Sequence, residues 1–302
     1  MNRLKDLTKT VELADKRIIV TGCGYKPVGH TFYDIVTGES THDSIYIGDK
    51  EMKMNIGAAA SGILALSGAT VHMVSTSEEK LINLKQEFEK LESGNIEISV
   101  ADLLNELDVK SFIQKLPSDK QIYWVQSVGL GAGSYKLEND NPYIRLEDID
   151  PDFIEAESRA ILRSTHLLMR ELLPLFRNQR ESKIAIVTSM SAVRGYSLGG
   201  SHCASKGALD RYANSAMLAL YKDNIFLTTI RPGGVDTGLY DSEAVQKAIC
   251  QISDEYEGQF REHFTLAPPS SVGQAVKYVF TTPAHIPSLN LVAKGQFPHE
   301  GS

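Results

Sequence analysis

Residues 55–75 read NIGAAASGILALSGATVHMVS. The first half is small and apolar with a period near 3.6, which predicts a helix over 57–67. Gly68 stops it. ATVHMVS (69–75) is continuously apolar and partly β-branched, as in a strand buried on both faces. A helix running straight into such a strand is the second half of a β-α-β unit. The strand that would open the unit lies upstream, at RIIVTG (17–22).

The same rhythm fills the rest of the 302 residues. Strand-like runs recur at NIEISVAD (95–102), QIYWVQSVG (121–129), SKIAIVTS (182–189), IFLTTIRPGG (225–234) and SLNLVAK (288–294). Helix-period segments lie between them, at 77–92, 105–116, 151–177, 203–222 and 271–281. This alternation predicts a doubly wound α/β fold, with a parallel seven-stranded sheet and helices on both faces. No repeat, low-complexity tract or linker divides it, so residues 1–302 are expected to form one domain.

One segment interrupts the pattern. A βα connection is usually only ~2–6 residues, yet the first strand and the helix near Gly57 are separated by a long, mixed, polar stretch. Residues 27–55 are read as an insertion in that loop, with modest strand potential at SIYIG (44–48). Its histidines and carboxylates, His30, His42, Asp34, Glu39, Asp43, Asp49 and Glu51, show no tight ligand spacing. A solvated polar loop is expected there, and no metal site.

Composition narrows the function classes. The apolar fraction is 42%, enough for a sizeable core. The formal charge is −7 and no basic face is evident, which argues against nucleic acid. No apolar run reaches the ~20 residues that cross a bilayer. The start, MNRLKDLTKTVELADKR, lacks the apolar core of a secretory signal. Three cysteines without CxxC spacing suit a reducing compartment. A cytoplasmic location follows as the expectation.

TGCG follows the first strand directly, where a glycine turn lets the backbone and the next helix N-terminus approach a pyrophosphate. With this turn, the order of motifs resembles the short-chain dehydrogenase/reductase family, a Rossmann-type fold, over about 16–296 apart from the insertion. The family's T-G-x-x-x-G-x-G appears as Thr21-Gly22 and, past the insertion, Ile56-Gly57; Gly29 in KPVGH is a second candidate for the closing glycine. VADLL (100–104) resembles the pair that meets adenine, Asp102 and Leu103. VQSVG (125–129) keeps only Gly129 of the family's N-N-A-G, and RPGGVDTG (231–238) matches its P-G-x-V-x-T loop. The resemblance thus places Gly22, Cys23, Ile56, Gly57, Ser75, Thr76, Asp102, Leu103, Gly129, Lys206, Pro232, Gly233, Val235 and Thr237 along the cofactor. Ser75 and Thr76 stand where an acidic residue would select NAD, which favours NADP(H), with Lys26 or Lys80 as possible sources of added charge.

The resemblance also implies a hydride-transfer site made of a serine, a tyrosine, a lysine four residues after it and an asparagine. Ser189 and Lys206 match. His202 stands in the tyrosine position, 13 residues after Ser189. No asparagine lies between Asn141 and Asn178, and Ile161 falls near its place. A histidine can serve as general acid or base; Tyr196 and Tyr135 are alternative proton donors. The expected function is hydride transfer between NADP(H) and a carbonyl or secondary alcohol. A non-redox dehydratase- or isomerase-like enzyme and a silent nucleotide-binding protein stay open. The resemblance further implies a helical flap over a small-molecule substrate at about 236–270, and a homo-oligomer, dimer or tetramer.

Overall fold

The computed structural model describes residues 13–31, 40–91, 95–129, 143–255, 265–293 and 296. Tyr135 and part of the expected flap lie outside them.

Seven strands form one parallel sheet. They are β1 (Lys16–Thr21), β5 (Thr70–Ser75), β6 (Ile96–Val100), β7 (Gln121–Gln126), β8 (Ser182–Val187), β9 (Ile225–Pro232) and β10 (Ser288–Leu291). Their order is β10-β9-β8-β7-β1-β5-β6. The chain first winds outward from β1 to β6, then returns to β7 on the other side of β1. That reversal opens a crevice at the C-terminal ends of the central strands, where doubly wound sheets bind ligands.

Alternate residues along each strand feed opposite cores. Ile18, Val20, Val71, Met73, Tyr123 and Val125 pack on one face. Ile19, Val74, Ile122, Trp124, Ile184 and Ile186 pack on the other. Helices α1 (Ile56–Leu66), α2 (Glu78–Glu89) and α8 (Pro269–Thr281) cover the first face. Helices α3 (Glu106–Gln114), α5 (Ser164–Arg177) and α6 (Gly200–Leu220) cover the second. Among the described residues two further helices follow, α4 (Pro151–Ser158), which packs against α6, and α7 (Glu243–Glu255), which reaches the crevice through Ile249.

Two expectations change. Residues 151–177 are not one uniform helix: a π turn at Arg159–Arg163 joins α4 to α5. Hydroxyls occupy carbonyls around this wide turn. Ser164 Oγ donates to Ala160 O, and Thr165 Oγ1 to Ile161 O at 2.7 Å. The insertion is not a solvated loop either. It is a three-stranded antiparallel sheet, β2 (Tyr25–Pro27), β4 (Lys50–Met54) and β3 (Ser44–Ile47), ordered β2-β4-β3. Tyr25, Ile45 and the full length of Lys53 are buried.

Candidate active site

The glycine turn is split by the insertion, and one side chain rejoins it. After β1 the chain turns at Gly22, whose φ is +81°. A Cβ there would lie 2.8 Å from Ser127 O, so the turn demands glycine twice over. The chain leaves at Gly24 and returns at Asn55. Asn55 Nδ2 donates to Gly22 O (2.8 Å), and its Oδ1 accepts from Gly24 N (3.1 Å) and Ala58 N (3.0 Å). Asn55 N donates to Gly24 O at 3.0 Å. Asn55 is also the N-cap of α1, so it aims that helix's free N–H groups at the turn.

Gly57, not Gly29, stands behind this turn. A Cβ on Gly57 would lie 2.9 Å from Gly22 O and 2.6 Å from Ser127 Oγ. One on Gly29 would strike Asp241, far along the chain in the expected flap. The glycine cradle and the helix N-terminus above it fit a dinucleotide pyrophosphate.

A cavity of about 620 Å³ opens from the turn along the strand ends. Of the residues expected along the cofactor, all but Gly57 line it; Gly57 supports Gly22 from behind. Lys26, Ser77 and Lys80 join Ser75 and Thr76 on the wall at the end of β5. Lys80 Nζ donates to Tyr25 O at 3.0 Å and sits 5.5 Å from the centre of the Tyr25 ring.

Ser189, His202 and Lys206 line the same cavity. Ser189 follows β8, with its Oγ accepting from Ser191 N at 3.1 Å. His202 sits in the first turn of α6, and Lys206 one turn on. Lys206 is buried, with Nζ 3.4 Å from Val187 O. Burial lowers its pKa to about 8, and the charge of Glu157 opposes that shift.

Glu157 escaped sequence reading. It belongs to α4, and its side chain is only 1% exposed. Its Oε1 accepts from His202 Nδ1 at 2.9 Å, and its Oε2 accepts from Ser201 Oγ. With Nδ1 committed to a carboxylate, Nε2 is the ring nitrogen left for exchange. The signal was present: Glu157 interrupts the apolar stripe Phe153, Ile161, Leu168. Asn55 was missed likewise, although an asparagine before a helix start is a capping signal.

Ile161 lies in the core, while Ala160 and Ser164 reach the cavity. Tyr196 lines the cavity too, its ring 6.0 Å from that of Tyr143. Burial pushes its hydroxyl well above the usual phenol range. Cys203 is no thiolate site: burial raises its pKa.

The sheet order defines an α/β Rossmann-type fold, and the cavity opens where such folds bind dinucleotides. A profile described as short chain dehydrogenase matches residues 53–248, and the chain belongs to that family of oxidoreductases. It is 22% identical over 163 residues to a 3-ketodihydrosphingosine reductase of Bacteroides thetaiotaomicron, a match spanning 53% of this chain and 57% of that protein. In structure it is similar to an alcohol dehydrogenase from the archaeon Thermococcus sibiricus complexed with 5-hydroxy-NADP. That pair has a TM-score of 0.67 and 17% identity, covering 94% of this chain and 99% of the other. It is also similar to a 3-ketoacyl-(acyl-carrier-protein) reductase from Brucella melitensis complexed with NADH. There the TM-score is 0.66 and the identity 18%, covering 94% and 98% of the two chains.

Proposed function

We propose that this protein is an NADP(H)-dependent oxidoreductase acting on a carbonyl or secondary alcohol, with His202 as the proton carrier. The observation that carries the reading is that one cavity is lined by the rejoined glycine turn together with Ser189, His202 and Lys206. Sheet, insertion and flap all meet this cavity, which supports a single domain.

The glycine turn would hold the pyrophosphate, and the nicotinamide of the bound cofactor would supply or accept the hydride. The chain's own groups handle the oxygen and its proton. Ser189 Oγ donates a hydrogen bond to the substrate oxygen and holds it in place. As negative charge builds on that oxygen, His202 Nε2 delivers a proton; in the oxidative direction neutral Nε2 removes it. Glu157 holds the ring in the tautomer this requires and balances the imidazolium. Lys206 would hold the nicotinamide ribose and, when charged, would favour negative charge on the oxygen. Ser75, Thr76 and Ser77 put no carboxylate at the end of β5, and Lys26 and Lys80 share that wall. This composition supports the 2′-phosphate of NADP(H) over the bare ribose of NAD.

Family membership supports the redox reading over a non-redox or silent one. The test is a fluorescence titration with NADPH and NADH, followed by NADPH consumption with a panel of ketones and 3-ketoacyl thioesters. NADPH should bind at least tenfold more tightly, about 1.4 kcal/mol, and be consumed with one member of the panel. No binding of either nucleotide at millimolar concentration would overturn the reading.

A further inference from the structure

The insertion buries a lysine that the chemistry above does not use. Lys53 lies mid-strand in β4 and its side chain is 0% exposed. Its Nζ donates to Asp236 Oδ1 and to Asp241 Oδ1, each at 2.8 Å. Burial works against its charge, but the two carboxylates outweigh it, and its pKa lies above the ordinary lysine value. A buried charge is held this way only where its partners are fixed.

Those partners adjoin the cavity wall. Asp236 lies between Val235 and Thr237, both on the cavity wall; Asp241 follows Leu239 and Tyr240, also on the wall. More bonds follow the same path. Gly29 N donates to Asp241 Oδ2 at 3.1 Å, and Gln246 Nε2 to His30 O at 3.0 Å. Ser270 N, at the start of α8, donates to Asp43 Oδ2. Two residues beyond Lys53 on the same chain, Asn55 closes the glycine turn.

We propose that Lys53 positions the flap: through it the insertion sheet clasps the segment that carries Asp236 and Asp241, while Asn55, two residues on, separately closes the cofactor turn. The proposal rests on the reading of this cavity as the substrate site. The clasp holds Leu239, Tyr240 and Ile249 in place on the cavity wall, whereas the glycine turn is bonded by Asn55, so loss of the clasp loosens the wall and leaves the turn's own bonds in place.

Hydrogen exchange of the cofactor-free protein, with an NADPH titration alongside, tests this. In Lys53→Met, amides of residues 239–251 should exchange about tenfold faster than in wild type, with β7 and β8 unchanged. NADPH affinity should stay within about twofold. Lys50→Met, at the exposed end of β4, should change neither. If Lys53→Met does not fold, the neutral variant Lys53→Met/Asp236→Asn/Asp241→Asn carries the test with the same expectation. Flap exchange no faster than wild type, or sheet strands quickening equally, would overturn the clasp. Loss of NADPH binding in wild type would instead overturn the proposed function, while the exchange comparison still decides the clasp.

Discussion

At the scale of residues, the His202–Glu157 pair concentrates the chemistry. Replacing His202 with alanine should remove turnover, a loss on the order of 10²–10⁴-fold, while His202→Tyr should keep or raise it. Steady-state NADPH consumption checks both; equal rates in wild type and His202→Ala would pass the proton to another group, with Tyr196→Phe as the next variant. Lys206 predicts a pH dependence of stability. Its folded pKa of about 8 lies below the ordinary 10.5, so between these values the unfolded chain binds more protons. The cofactor-free protein should gain stability as pH rises from about 8 to 10.5, with the burden fully present below 8. Lys206→Met should therefore be more stable by ~3 kcal/mol at pH 7, and its advantage should shrink above pH 8. Urea melts at pH 7 and 10 measure the difference.

At the scale of elements, the strands and helices of the sheet were legible because their apolar runs are local and continuous. RIIVT needs no knowledge of its neighbours to be read as a buried strand. Apart from SIYIG, whose strand potential is realised as β3, the insertion was illegible for the opposite reason. KEMKM (50–54) has no strand signature of its own, and Lys53 becomes a core residue only through aspartates 183 and 188 positions away. Glu157 was hidden by the same distance, 45 residues from His202. Ser189 and Lys206 could be matched to the family's motif because the spacing within one strand end and one helix turn is a local property. Asn55 shows how one capping residue serves an element and a site together. Asn55→Ala should cost ~1 kcal/mol as a lost cap. It should also weaken NADPH binding by about tenfold, because Gly22 O and Gly24 N lose their shared partner. Paired melts and nucleotide titrations read the two effects separately.

At the scale of the whole molecule, the insertion belongs to the packed core. Changing Lys53 to Met alone would leave Asp236 and Asp241 without their cation inside the intact fold. That should destabilise the protein by ~3–5 kcal/mol, and Asp236→Asn/Asp241→Asn should recover part of it; thermal melts of the two variants decide. The neck at Gly24 and Asn55 has another consequence. Backbone and side-chain bonds already close the turn there, so it does not depend on an unbroken peptide path through the insertion. β1 is gripped by β5 and β7, and β2 by β4. The molecule is therefore suited to being made as two separate polypeptides, divided between β2 and β3, that find each other and restore the nucleotide site only when both are present.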